Sequence, residues 1–130
     1  MKKNNNNEIV TMDEFIRYIY STKSHSKEFD GKIESIEIRR YKFRTFEKHE
    51  MLIKFKLDDI GLEIIKPLLV SNEVGTEYQQ FMAELSLSFG FDPIYASDMI
   101  GMKGKITLMT EKVEGELALI ISDFVTTTMR

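Results

Sequence analysis

Thr76-Glu77-Tyr78-Gln79-Gln80-Phe81-Met82-Ala83-Glu84-Leu85-Ser86-Leu87-Ser88-Phe89-Gly90 is the stretch around which the rest of the chain arranges itself. Tyr78, Phe81, Met82, Leu85 and Phe89 recur at the spacing of one helical face, and Thr76 with Gln79 three residues on has the form of a capping box. Gly90 can take the left-handed conformation that ends a helix, and Pro93 stands shortly beyond it. The spacing predicts a helix over 76–89 with those five side chains directed inward. Everything on either side of it reads as strand. Upstream, Leu62 to Val70 is a strand in which Pro67 donates no ladder hydrogen bond and so belongs at an edge, a bulge or an end. Asp58-Asp59-Ile60-Gly61 is the turn before it. Met51 to Leu57 alternates Ile53, Phe55 and Leu57 with Lys54 and Lys56, as a strand with one wet face does, and Phe46 to Glu50 reads as the preceding turn. Lys32 to Arg44 contains neither Gly nor Pro and predicts a long first strand. Downstream, Asp92 to Ile100 is irregular with room for one helical turn. Gly101 to Gly104 opens two strands, Lys105 to Glu111 and Glu116 to Val125, with Glu114-Gly115 as a hairpin turn and a polar tail from Thr126 to Arg130.

The first strand has a flaw in its alternation. Ile36 and Ile38 share one face, and continuing that parity puts Arg40, Lys42 and Arg44 inside. Tyr41 and Phe43 belong to the opposite parity. Either a bulge near Arg39-Arg40 resets the register, or the strand is uninterrupted and the two rings project outward.

At the start of the chain, Lys2 to Asn7 is a polar low-complexity lead, and residues 1–10 are expected to be disordered. Thr11 and Glu14 form a second capping box in front of Met12, Phe15, Ile16 and Ile19, which predicts a helix from Met12 to Tyr20. The hydroxyl-rich run from Ser21 to Lys27 reads as a loop, so residues 11–28 make a helix and linker and the domain body spans 29–130. A chain of 130 residues with 42% hydrophobic and 30% charged residues suits one domain with one core. Having no cysteine, it has neither disulfides nor thiolate metal sites. No apolar run approaches the roughly 18 to 20 residues that cross a bilayer, and the start lacks the apolar stretch of a signal peptide. A cytoplasmic protein without a membrane association is the expectation.

After the leading helix the order is strand, strand, strand, helix, strand, strand. That is the order of the five-stranded OB-fold, a Greek-key barrel with its helix between strands three and four. The expected class is therefore all-β with one or two helices, an OB-fold-like barrel carrying an extra N-terminal helix. The segment from Glu77 to Val125, with Ser88-Phe89-Gly90-Phe91, Ile100-Gly101-Met102-Lys103-Gly104-Lys105-Ile106 and a closing hairpin, resembles the small OB-fold single-stranded DNA-binding proteins of phages and mobile elements. The likeness lies in element order and glycine placement. It implies a non-catalytic accessory of DNA replication or recombination. Unlike bacterial single-strand binding proteins, the chain has no acidic tail, since Asp123-Phe124-Val125 is followed by three Thr, Met129 and Arg130.

Charge placement points the same way. Residues 31–56 hold eight bases against four acids, whereas residues 57–100 hold one base against eight acids, so a net charge of −3 conceals a positive segment. Local field, not net charge, is what an anionic ligand meets. Single strands are held by cations that track phosphates and rings on which bases stack. Arg39, Arg40, Tyr41, Lys42, Arg44, Phe46, Lys54 and Lys56 supply both on the first two strands, and Lys112 is placed in the loop between the last two. Phe43 and Phe55 have an alternative as core residues. Chemistry of other kinds is poorly provided for. His25 and His49 have no second ligand-type residue at a useful spacing, no phosphate loop or nucleophile elbow is present, and Asp58-Asp59 suits its own turn. No enzyme activity, metal or cofactor is expected. The rival reading is a protein-binding OB-like module that docks on a replication or host factor, or on a second copy, through the acidic stretch and the N-terminal helix.

Overall fold

The computed structural model describes residues 11–89 and 95–127, the side chains of Ser88 and Phe89 excepted. The N-terminal lead, the Gly90 cap, Pro93, the inward direction of Phe89 and the last three residues of the tail lie outside the described residues. Helix α1 (Met12–Ser21) has the expected capping box: Thr11 Oγ1 accepts from the Glu14 amide and Glu14 Oε1 accepts from the Thr11 amide, both at 3.1 Å. Phe15 and Ile19, one turn apart, are its buried face. Five strands follow, β1 (Ser26–Phe43), β2 (Phe46–Leu57), β3 (Glu63–Leu69), β4 (Lys103–Val113) and β5 (Glu116–Thr126), with α2 (Glu77–Phe89) and the single turn α3 (Ala96–Met99) between β3 and β4. The class is mostly antiparallel β with few helices, as the element order predicts.

The sheet order is β3-β2-β1-β4-β5, and β1 is its pivot. Ser26 to Lys32 pair with β4, and Gly31 to Phe43 pair with β2. The two pairings overlap at Gly31 and Lys32, and Gly31 lies opposite both Leu57 and Gly104. A Cβ there would come within 2.5 Å of Ile106 Cδ1 and 2.6 Å of the Lys56 carbonyl oxygen, so only glycine lets the strand pass between its neighbours. The register irregularity of β1 falls between Ile33 and Ser35, not at Arg39-Arg40. It comes just after the strand leaves β4, where one extra residue re-aims the strand toward β2 alone.

Two further boundaries differ from the sequence expectation. Strand β1 begins at Ser26, inside the stretch read as a loop, because β4 supplies partners for backbone whose side chains are small or polar. Phe46 to Glu50 is strand, not turn.

Among the described residues no ladder joins β3 to β5, the two ends of the sheet order. The interval is bridged by a side chain. Lys66, on the buried parity of β3 with Ile64 and Leu68, donates from Nζ to the Ile121 carbonyl of β5 at 2.9 Å and to Glu77 Oε2 of α2 at 2.8 Å. Helix α2 packs here with Phe81 and Leu85 buried and Tyr78 and Met82 partly so. The core they join is formed by Ile33, Ile53, Phe55, Leu57, Ile106, Leu108 and Phe124, so Phe55 is a core ring.

Candidate nucleic-acid interface

Strand β3 stops at Leu69, opposite Glu50, and β4 parts from β1 at Lys32. Past those points β1 and β2 continue together as a two-stranded ribbon from Arg40–His49 to Phe43–Phe46, closed by the two-residue turn Arg44-Thr45. Residues 37–49 are exposed throughout. Arg44 takes φ of 38°, a left-handed conformation that bulky residues seldom adopt, which the tight reversal imposes on it.

Residues opposite one another in an antiparallel pair share a face, and alternate pairs take alternate faces. Arg39–Glu50, Tyr41–Lys48 and Phe43–Phe46 therefore lie on one face, and Ile38–Met51, Arg40–His49 and Lys42–Glu47 on the other. The second face continues the buried side of the sheet, where Met51 and Ile53 are covered. The first continues the outer side, which also carries Lys54 and Lys56 of β2, opposite in parity to the buried Ile53, Phe55 and Leu57. With the register unbroken along the ribbon, the rings project outward.

On the ring face the contacts are local. Phe43 and Phe46 stack with centroids 5.6 Å apart, and Lys48 Nζ lies 5.7 Å from the Phe46 centroid. The Tyr41 hydroxyl donates to Glu50 Oε1 at 2.8 Å, fixing the ring beside Arg39. That guanidinium is held above its ordinary pKa, first by hydrogen bonding with the Tyr41 oxygen and then by the Glu37 carboxylate, whose Oε2 is 3.8 Å from Arg39 Nε. Lys54 pairs with Glu63 at 3.6 Å. Arg40, Lys42, Arg44 and Lys56 have no ion pair among the described residues. The cations without an ion pair thus lie on both faces of the ribbon, Arg40 and Lys42 on the far face, Arg44 at the turn, Lys56 at the base and Lys48 on the ring face beside the exposed rings.

Eight of the nine sequence candidates gather on β1, β2 and their turn. Lys112 does not join them. It is the penultimate residue of β4 and not part of the loop, and its ammonium lies 5.9 Å from the Tyr20 ring of α1. Sequence reasoning leaves Phe43 between core and surface and passes over Lys48 and Glu50. The alternation of Phe46, Lys48 and Glu50 with Glu47 and His49 is a readable signal, but both parities there are polar, so it carries no apolar contrast. The histidines stand apart from each other. His25 Nδ1 is 2.6 Å from the Tyr20 carbonyl with its ring stacked on Tyr20, and His49 Nε2 is 3.6 Å from Glu47. Among the described residues no three His, Asp or Glu side chains are grouped to hold a metal ion, and no helix is long and apolar enough to cross a membrane. No family model and no curated protein matches the chain.

Proposed function

We propose that this protein is a non-catalytic single-stranded DNA-binding protein, with the outer face of the β1–β2 ribbon as its stacking platform. One observation carries the reading: Tyr41, Phe43 and Phe46 share one exposed face, with Arg39 and Lys48 among them and unpaired Arg40, Lys42 and Arg44 around the same ribbon. Isolated exposed rings are ordinary, but three on one face of a projecting ribbon suit a ligand with flat apolar faces and a charged backbone. Bases stack on the rings and phosphates meet the unpaired cations. A cytoplasmic role in replication or recombination, of the kind phages and mobile elements encode, accords with this chemistry.

Titration of labelled oligo(dT) at several salt concentrations tests it. Affinity is expected to fall linearly in log salt. Replacing Arg40 and Arg44 by Ala is expected to weaken binding and flatten the slope by about one unit for each phosphate no longer neutralised. Phe43→Ala is expected to weaken binding by about 5- to 150-fold with little change in slope, the equivalent of about 1 to 3 kcal/mol per stacked base. A parent that fails to bind at low salt, or variants that bind as it does, overturn the reading in favour of a protein-docking module.

A further inference from the structure

A two-stranded ribbon with both faces wet is marginally stable by itself, and this one also has an unused edge. On the side of β1 away from β2, Ile33 exchanges backbone hydrogen bonds with Met102 and Gly101, and past it no described residue pairs with β1. Exposed strand edges invite another strand, and charged residues along them normally prevent it. Here the charges are self-complementary. If the edge pairs antiparallel with the same edge of a second copy about a two-fold axis at Ile38, Glu37 falls opposite Arg39 and Arg39 opposite Glu37. In the same register Ile36 meets Arg40 and Ser35 meets Tyr41, and the pairing ends there, because Gly101 and Met102 already hold the edge of Ile33 that Phe43 would face. Shifting the axis to Glu37 sets Glu37 against itself, and shifting it to Arg39 or Arg40 sets like cations together. Ile38, at the axis, is 51% exposed in the single chain.

We infer that two copies of this chain pair through the free edge of β1, antiparallel and centred on Ile38. The pairing adds a third and a fourth strand to each ribbon, which removes the unpaired edge and covers Ile38. A two-fold axis normal to the sheet keeps outer faces together, so Tyr41 and Phe43 of both copies lie on one side. This goes beyond the binding reading and is tested without nucleic acid.

The mass in solution is measured by sedimentation equilibrium as a function of concentration. The parent is expected at twice the mass of one chain, falling toward one on dilution. Glu37→Arg and Arg39→Glu each oppose like charges across the axis and are expected to be single chains where the parent is paired. The double exchange restores both ion pairs and is expected to restore the doubled mass. Because the chain has no cysteine, Ile38→Cys reads the register without altering charge. Directly opposite residues have Cβ atoms about 5 Å apart, near enough for oxidation to link two copies. Val74→Cys, on an exposed loop, is expected to remain unlinked. A parent of single-chain mass throughout, a doubled mass that survives both single reversals, a folded double variant that stays single, or equal cross-linking at 38 and 74 each overturn the inference.

Discussion

Lys66 is the residue whose chemistry departs furthest from its position. Its strand parity buries it between Ile64 and Leu68, where an uncompensated ammonium is strongly disfavoured. The Ile121 carbonyl and the Glu77 carboxylate make it tolerable. Methionine matches the stem but donates nothing, so Lys66→Met is expected to leave that carbonyl unpaired at a cost of about 1 to 3 kcal/mol, read as a lower urea midpoint with an unchanged m-value. A second residue-scale test concerns Tyr41. Its hydroxyl serves Glu50 and its ring, 38% exposed, serves no core contact. Tyr41→Phe keeps the ring and is expected to bind oligo(dT) within about a factor of two to three of the parent, whereas Tyr41→Ala removes the stacking surface. Both are expected to unfold within about 1 kcal/mol of the parent, as exposed substitutions do. An unfolded Tyr41→Ala would make the ring structural and remove it from the interface.

Among the elements, β1 carries two tasks in one strand. Gly31 is where they meet, so Gly31→Ala must push apart the Lys56 carbonyl or the Ile106 side chain. A loss of about 1 to 3 kcal/mol is expected, measured by thermal or urea unfolding. The ribbon is the converse case. It buries nothing past Met51, so replacing residues 41–48 by a two-residue turn, which keeps Arg40 opposite His49, is expected to leave the unfolding midpoint close to the parent's and to abolish oligo(dT) binding. Loss of folding in that variant would refute the separation of ribbon from core. The same division decides what sequence alone can tell. Helix α2, the strand from Met51 to Leu57 and the Glu114-Gly115 turn are legible because each has one apolar face or one turn-specific residue. The ribbon is half legible: Lys32 to Arg44 reads as strand, but Phe46 to Glu50 does not, because a strand wet on both faces leaves no period in the hydrophobic pattern. Ser26 to Asp30 is strand through its pairing with β4, a partner some eighty residues away that no local composition reports. Face assignment is the remaining ambiguity. The flaw at Arg39-Arg40 allows a bulge or outward rings, and only the pairing register, which slips at Ile33/Ser35, decides between them.

At the scale of the molecule, a packed core and a two-stranded projection share one strand, so they must differ in stability. Amides open to exchange with free energies ranging from near zero in poorly packed segments to the global value in the core. Ile53 to Leu57 and Ile106 to Leu108 lie on buried strands flanked on both sides, and their amides are expected to exchange only through global unfolding. Among the described residues, amides of 40–43 and 46–48 have no third strand and no buried side chains, and in dilute free protein they are expected to exchange through local opening, faster by orders of magnitude. The two proposed partners are expected to protect the ribbon in separable ways. Self-pairing along β1 is expected to protect its outward amides as concentration rises, leaving those of 46–48 fast. Oligo(dT) across the ring face and the turn is expected to slow both strands at a concentration too low for pairing, with high salt reversing the effect. Hydrogen exchange followed by mass spectrometry of proteolytic fragments separates the cases. Ribbon amides as slow as those of Phe55 in dilute, ligand-free protein would show that the projection is held by the core after all, and the independence on which its role as a docking element depends would be lost.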